Sequence, residues 1–62
     1  MKTYFNVTFR WSEDIWCANI AHAESEAAVK LHYSKYSDVT VTPASAWDVE
    51  SARERGKPII EC

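Results

Sequence analysis

The stretch TYFNVTFRWSEDIWCANIAHA, Thr3 to Ala23, decides the fold. From Tyr4 to Trp11 the side chains alternate, with Phe5, Val7, Phe9 and Trp11 on one face and Tyr4, Asn6, Thr8 and Arg10 on the other. That period of two marks a half-buried strand. Ser12, Glu13 and Asp14 carry turn chemistry, and Ile15 to Ala23 is a second run of small and β-branched residues, so the two runs form a hairpin. Its register has two readings. A two-residue Glu13-Asp14 loop sets Trp11 against Trp16, Phe9 against Ala18 and Val7 against Ile20 along one face. A three-residue loop sets Phe9 against Cys17 and Val7 against Asn19, which buries a polar amide. We expect the first, because a one-residue slip would turn Trp16 and Ile20 to the opposite face.

Downstream of the hairpin, Ser25 is an N-cap with Glu24 and Glu26 near the positive end of a helix dipole. A helix from Ala27 to about Tyr36 follows, striped by Ala28, Val29, His32 and Tyr36, with Leu31 and Tyr33 on its flanks. Ser37-Asp38 ends it, and Val39 to Thr42 is a short third strand whose valines point inward. Pro43 closes that strand. Ser45-Ala46-Trp47-Asp48 fits a capping box with Asp48 in place of Glu, opening a second helix over Ala46 to Arg55 with Ala46, Val49 and Ala52 on one side. Gly56 suits its left-handed cap. Lys57-Pro58 forces extension, and Ile59-Ile60 either folds over the second helix or adds a strand to a sheet edge.

The expected fold is therefore α+β, a single domain over 1–62 in the order β-β-α-β-α with an extended tail. A right-handed crossover from the second strand to the third gives a three-stranded sheet of order 2-1-3, with the first helix on one face. The other face, Tyr4, Asn6, Thr8, Arg10 and Thr40, is polar enough to meet water, although the second helix can cover part of it.

Sixty-two residues leave a thin core, since a chain of this size buries only ~60% of the surface its unfolded form exposes. Composition is that of a folded domain: 47% hydrophobic, 13% aromatic, one Gly and two Pro. The net charge of −2 disfavours a phosphate backbone as partner, so no direct nucleic-acid binding is expected. MKTYFNVTFR turns polar at Asn6 and Thr8, so it reads as neither a secretory h-region nor a membrane span, and a cytoplasmic location is the default. Cys17 and Cys62 are too few for a disulfide scaffold and read as free thiols, Cys62 the more exposed.

Little here carries catalysis. There is no Gly-rich phosphate loop, nucleophile motif or HExxH, so no enzyme and no cofactor is expected. Cys17, His22, His32 and Cys62 could in principle ligate zinc, but Cys17-x4-His22 is not a ligand spacing, and strand alternation puts the two on opposite faces; no metal is expected. Arg53, Arg55 and Lys57 form a basic cluster whose first role is to complement the end of the second helix, the alternative being contact with an acidic partner or a phosphate.

The informative excess is three tryptophans. Trp11 and Trp16 flank the hairpin tip, and Trp47 opens the second helix roughly 160° from Val49 at ~100° per residue, so at least one stays exposed. Trp is enriched at contact hot spots. The candidate partner-binding residues are Trp11, Glu13, Asp14 and Trp16 at the tip and Trp47, Asp48 and Glu50 on the helix, an aromatic patch with an acidic rim.

The opening MKTYFNVTFR, the Ala23 to Ala28 segment AESEAA and the closing ERGKPIIEC resemble small accessory proteins carried by phages and integrative elements of Gram-positive bacteria. The β-β-α-β layout is similar to that of DpnD/PcfM-like domains. The resemblance implies a class of role and transfers no individual residue. Small acidic proteins of mobile elements include anti-CRISPR and other anti-defence inhibitors, which bind a host protein or ribonucleoprotein effector complex and block nucleic-acid access or a conformational step. The expectation is a non-enzymatic inhibitor of that kind. A self-associating structural or regulatory module, a homodimer formed by edge pairing, is the second reading.

Overall fold

A computed structural model describes residues 1–62. Its elements are β1 (Thr3–Ser12), β2 (Ile15–Ala23), α1 (Glu26–His32), β3 (Ser37–Pro43), α2 (Ala46–Glu54) and β4 (Ile59–Glu61). The α+β class and the central order 2-1-3 hold, but the sheet has four strands, not three, in the order β3-β1-β2-β4. The tail takes the edge-strand option: β4 lies parallel to β2, pairing Ile59 with Ile20, Ile60 with Ala21 and Glu61 with His22.

The hairpin register is the principal correction. β1 and β2 pair Phe9 with Cys17, Val7 with Asn19 and Asn6 with Ile20, so Trp16 and Ile20 face away from Phe9. Ser12 nevertheless lies opposite Ile15 around a two-residue turn, and a bulge between Arg10 and Ser12 absorbs the extra residue. The objection to this register was the amide of Asn19. Asn19 Nδ2 donates to the Tyr33 hydroxyl at 3.1 Å, so the amide is paired rather than stranded. The same burial pushes the Tyr33 hydroxyl pKa up, with the Asn19 bond acting in the opposite direction.

Because the register puts large apolar groups on both sides, the sheet builds two cores. Phe5, Val7, Phe9, Ala21, Ala23 and Val41 meet Val29 of α1 and Tyr33 at its C-cap on one face. Ile20 meets Val49 and Ala52 of α2 on the other, with Tyr4, Ala44 and Ile59 around them. The topology requires this split. The β2-to-β3 and β3-to-β4 crossovers run in opposite directions along the sheet, so crossovers of one hand must lie on opposite faces. β4 serves both sides, sending Ile59 to the α2 core and Ile60 and Cys62 to the α1 core.

The helix ends are local chemistry. Ser25 Oγ accepts from the Ala28 N–H at 3.2 Å, and Ser45 and Asp48 form the reciprocal box, with Asp48 N–H to Ser45 Oγ at 3.1 Å and Ser45 N–H to Asp48 Oδ2 at 3.0 Å. After α2, Gly56 has φ 73°, and its N–H donates to the Arg53 carbonyl while that of Lys57 donates to the Ala52 carbonyl, a Schellman closure.

Helix α1 stops at His32, short of the expected Tyr36, and its buried line is Val29–Tyr33 rather than one through His32; Leu31 and His32 are exposed. Tyr36 instead folds onto Phe9, ring centroids 4.6 Å apart, in a turn before β3. Asp38 (φ 53°) occupies a second bulge, opposite Phe9 between the Thr8–Thr40 and Arg10–Ser37 pairs. Its carboxylate lies 3.1 Å from Arg10 Nη2. Ala46, expected on the packed side of α2, is exposed, and Cys62 is half-buried, its thiol pKa raised chiefly by that burial.

Candidate functional site

The register that buries Ile20 also decides where the tryptophans go. Trp11, Trp16 and Trp47 are 59%, 56% and 74% exposed. Trp11 leans on Tyr36 on the α1 face, ring centroids 5.7 Å apart. Trp16 is cross-strand from Arg10 on the α2 face, where the guanidinium carbon sits 4.9 Å from its ring centroid. The hairpin tip therefore presents its two tryptophans to opposite sides of the sheet, with Glu13 and Asp14 exposed in the turn between them.

Trp47 shares the α2 face with Trp16. It lines an open groove of about 270 Å³ whose helix wall is Trp47, Asp48, Ser51, Ala52 and Arg55 and whose sheet side is Asn6, Ala18, Asn19 and Ile20, with Lys57 at the end of α2. The i, i+4, i+8 spacing of Trp47, Ser51 and Arg55 makes one flank of the helix. Arg10, cross-strand from Trp16, lies four residues along β1 from Asn6, roughly 13 Å at the rise of a strand. One continuous surface of the sheet thus runs from Trp47 to Trp16. Glu50 falls on the other flank of α2, beside a shallow depression of about 330 Å³ shared with Tyr4, Val49 and Arg53.

Asp48 is committed to structure more than the acidic rim requires. Its Oδ2 accepts from Ser45 N–H at 3.0 Å and from Asn6 Nδ2 at 3.2 Å, and these bonds hold its pKa below the usual carboxylate value. The seven partner-binding candidates therefore fall into separate groups: Trp16, Trp47 and Asp48 on the α2 face, Trp11 on the α1 face, Glu13 and Asp14 at the tip, and Glu50 on the far flank.

What the sequence does not display is that its basic cluster ends a groove. Arg53 is engaged, its Nη2 donating to the Tyr4 hydroxyl at 3.3 Å, but Arg55 and Lys57 have no carboxylate within ion-pair distance. Their place in the Arg53-to-Lys57 cluster is the signal in the sequence, where the dipole role outweighs contact with an acidic partner or a phosphate. At the far corner of the sheet, His22 stacks on Tyr4 with centroids 4.5 Å apart and its Nδ1 lies 3.1 Å from both Glu61 oxygens, while Lys2 Nζ donates to Glu61 at 3.2 Å. The His22 and Lys2 bonds hold the Glu61 pKa down and tie β4 to the sheet. No three His, Cys, Asp or Glu side chains gather closely enough to hold a metal, and no helix is long and apolar enough to cross a membrane.

Fold and site together define a small α+β domain with a helix on each face of a four-stranded sheet and an exposed aromatic surface. Comparison with protein-family models, curated proteins and solved structures finds no match.

Proposed function

We propose that this protein is a non-enzymatic, protein-binding inhibitor of a host defence complex, anti-CRISPR-like in role and acting in the bacterial cytoplasm. The observation that carries the reading is the exposure of all three tryptophans. A Trp side chain more than half exposed leaves about 100 Å² of largely apolar surface in water, so covering it contributes about 2–3 kcal/mol at ~25 cal/mol/Å². Ordering and orientation costs offset part of that gain. The sum is still what a few contact hot spots supply in a standard protein complex. Glu13 and Asp14 at the tip and Glu50 on the far flank of α2 supply negative charge suited to a basic channel, and competitive occupation of such a channel is the mechanism.

The test is electrophoretic mobility of effector–DNA complexes, from a panel of purified CRISPR effectors, after incubation with the chain. Inhibition of one effector is expected, and Trp16→Ala with Trp47→Ala weakens it by tenfold or more. If Glu13, Asp14, Asp48 and Glu50 are all changed to alanine and inhibition is unchanged, channel occupation is wrong.

The second reading, a self-associating module with no host target, rests on the outer edge of β3, which pairs only with β1. Asp38 in its left-handed conformation and Pro43 at the other end blunt that edge. Sedimentation with and without reductant separates the readings. A monomer favours the inhibitor, and a reductant-insensitive dimer favours the module.

A further inference from the structure

We infer that the groove beside α2, together with the open half of β2, is a docking site for an acidic peptide segment bound as an added strand. β4 pairs with β2 only at Ile20–His22, whereas β2 extends from Ile15 to Ala23. The outer edge of Ile15 to Asn19 therefore has no strand beside it, although β1 pairs its inner edge. The main-chain groups of Cys17 and Asn19 turn toward β1, so those of Trp16 and Ala18 are the unpaired ones at the outer edge, a short template for an extended chain.

The charge around that edge selects the partner. Arg55 and Lys57 stand at the groove without carboxylate partners. Lys35 and Arg53 also lack a carboxylate partner, but Arg55 and Lys57 are the cations that line the groove, where they mark a local reversal of sign in a chain whose net charge is −2. Trp47 at the other end of the groove gives an apolar side chain of the incoming strand a surface to cover. Single-stranded nucleic acid would also meet cations and aromatic rings here. A free strand edge pairs with a polypeptide main chain and offers a nucleic acid nothing. The occupant is an extended, carboxylate-bearing polypeptide. This inference stands apart from the identity of any host target, since the purified chain alone tests it.

The probe is the acetylated, amidated heptapeptide Glu-Val-Thr-Val-Asp-Val-Glu, titrated into the full chain by calorimetry and by amide NMR at low salt. Expected are protection of the Trp16 and Ala18 amides from exchange, tenfold weaker binding when alternate peptide nitrogens are methylated, and tenfold weaker binding of a Lys-for-acid peptide. Arg55→Glu with Lys57→Glu reverses the acid-over-base preference, tenfold being about 1.4 kcal/mol. Both positions are exposed, and circular dichroism checks that the variant folds. On the unmutated chain, raising salt weakens the acidic peptide and not the neutral Gln analogue. Equal binding of acidic and basic peptides, an unaffected N-methylated peptide, displacement by a ten-nucleotide oligothymidine, or occupation of this edge by a second copy of the chain would each overturn the inference.

Discussion

Deleting Ile59 to Cys62 removes a strand that reaches both cores, and its cost can be worked from the burial. Ile59 and Ile60 are each half-buried, the first against Ile20 and Val49 and the second against the α1 core. Full burial of such a side chain contributes ~1.5–3 kcal/mol, so half-burial gives about 1–1.5 kcal/mol each and about 2–3 kcal/mol for the pair. The exposed Glu61 ion pairs add too little to enter the sum. An unfolding entropy of about 2.1 cal/mol/K per residue makes the slope for 62 residues about 0.13 kcal/mol per degree. The truncated chain should therefore melt about 15–20 °C lower by circular dichroism. Ile59→Ala and Ile60→Ala should divide the loss, the first accelerating amide exchange in α2 and the second in α1. A truncated chain melting within about 5 °C of the parent would refute the reasoning.

The remaining predictions concern the register, the caps and the acid limb. Tyr33→Phe strands the Asn19 amide and Asn19→Leu strands the Tyr33 hydroxyl, each costing about 1–3 kcal/mol in urea unfolding, whereas the double variant loses less than their sum. Ser45→Ala removes an N-cap and should cost about 1 kcal/mol in the same assay, with fraying confined to α2. Asp48 and Glu61 have pKa values below their ordinary ones, so the stability they contribute is fully present above about pH 4–4.5 and is lost as pH falls through the depressed folded values. Melting temperature should hold from pH 7 to about 5 and drop below 4, with a shallower drop in Asp48→Asn.

The parts of the fold legible in the sequence are those set by neighbours along the chain. Ser25, the Ser45/Asp48 box and Gly56 are read correctly because a cap is chemistry within four residues. The hairpin register was not legible, because its cost at Asn19 is cancelled by Tyr33, fourteen residues on, a partner that no alternation pattern displays. Two further misreadings follow from that one. With Ile20 assigned to the α1 face, the second core and the grip of α2 had no anchor, and the tail had only one face to cover. Helix α1 was drawn too long because Tyr36, at helical spacing from Val29 and His32, is recruited by Phe9 across a turn.

The candidate site was half legible. An excess of tryptophan with Trp47 opposite Val49 announced an exposed aromatic surface, and that surface exists. The register slip then parts Trp11 from Trp16, and the cap consumes Asp48, so the single acidic-rimmed patch becomes two aromatic faces. Arg55 and Lys57 rank as a helix-end complement ahead of a contact site in the sequence, because a dipole argument explains cations at a helix end whether or not they also line a groove.

The most direct test of the central claim, inhibition by protein contact through exposed tryptophans, is plasmid interference in bacteria. The chain is expressed in a panel of strains, each carrying one active CRISPR system, and transformation by a targeted plasmid is counted against an untargeted one. The account predicts restored transformation in at least one strain, lost with Trp16→Ala and Trp47→Ala at unchanged protein level. Full interference in every strain, or restoration that survives both substitutions, would contradict it.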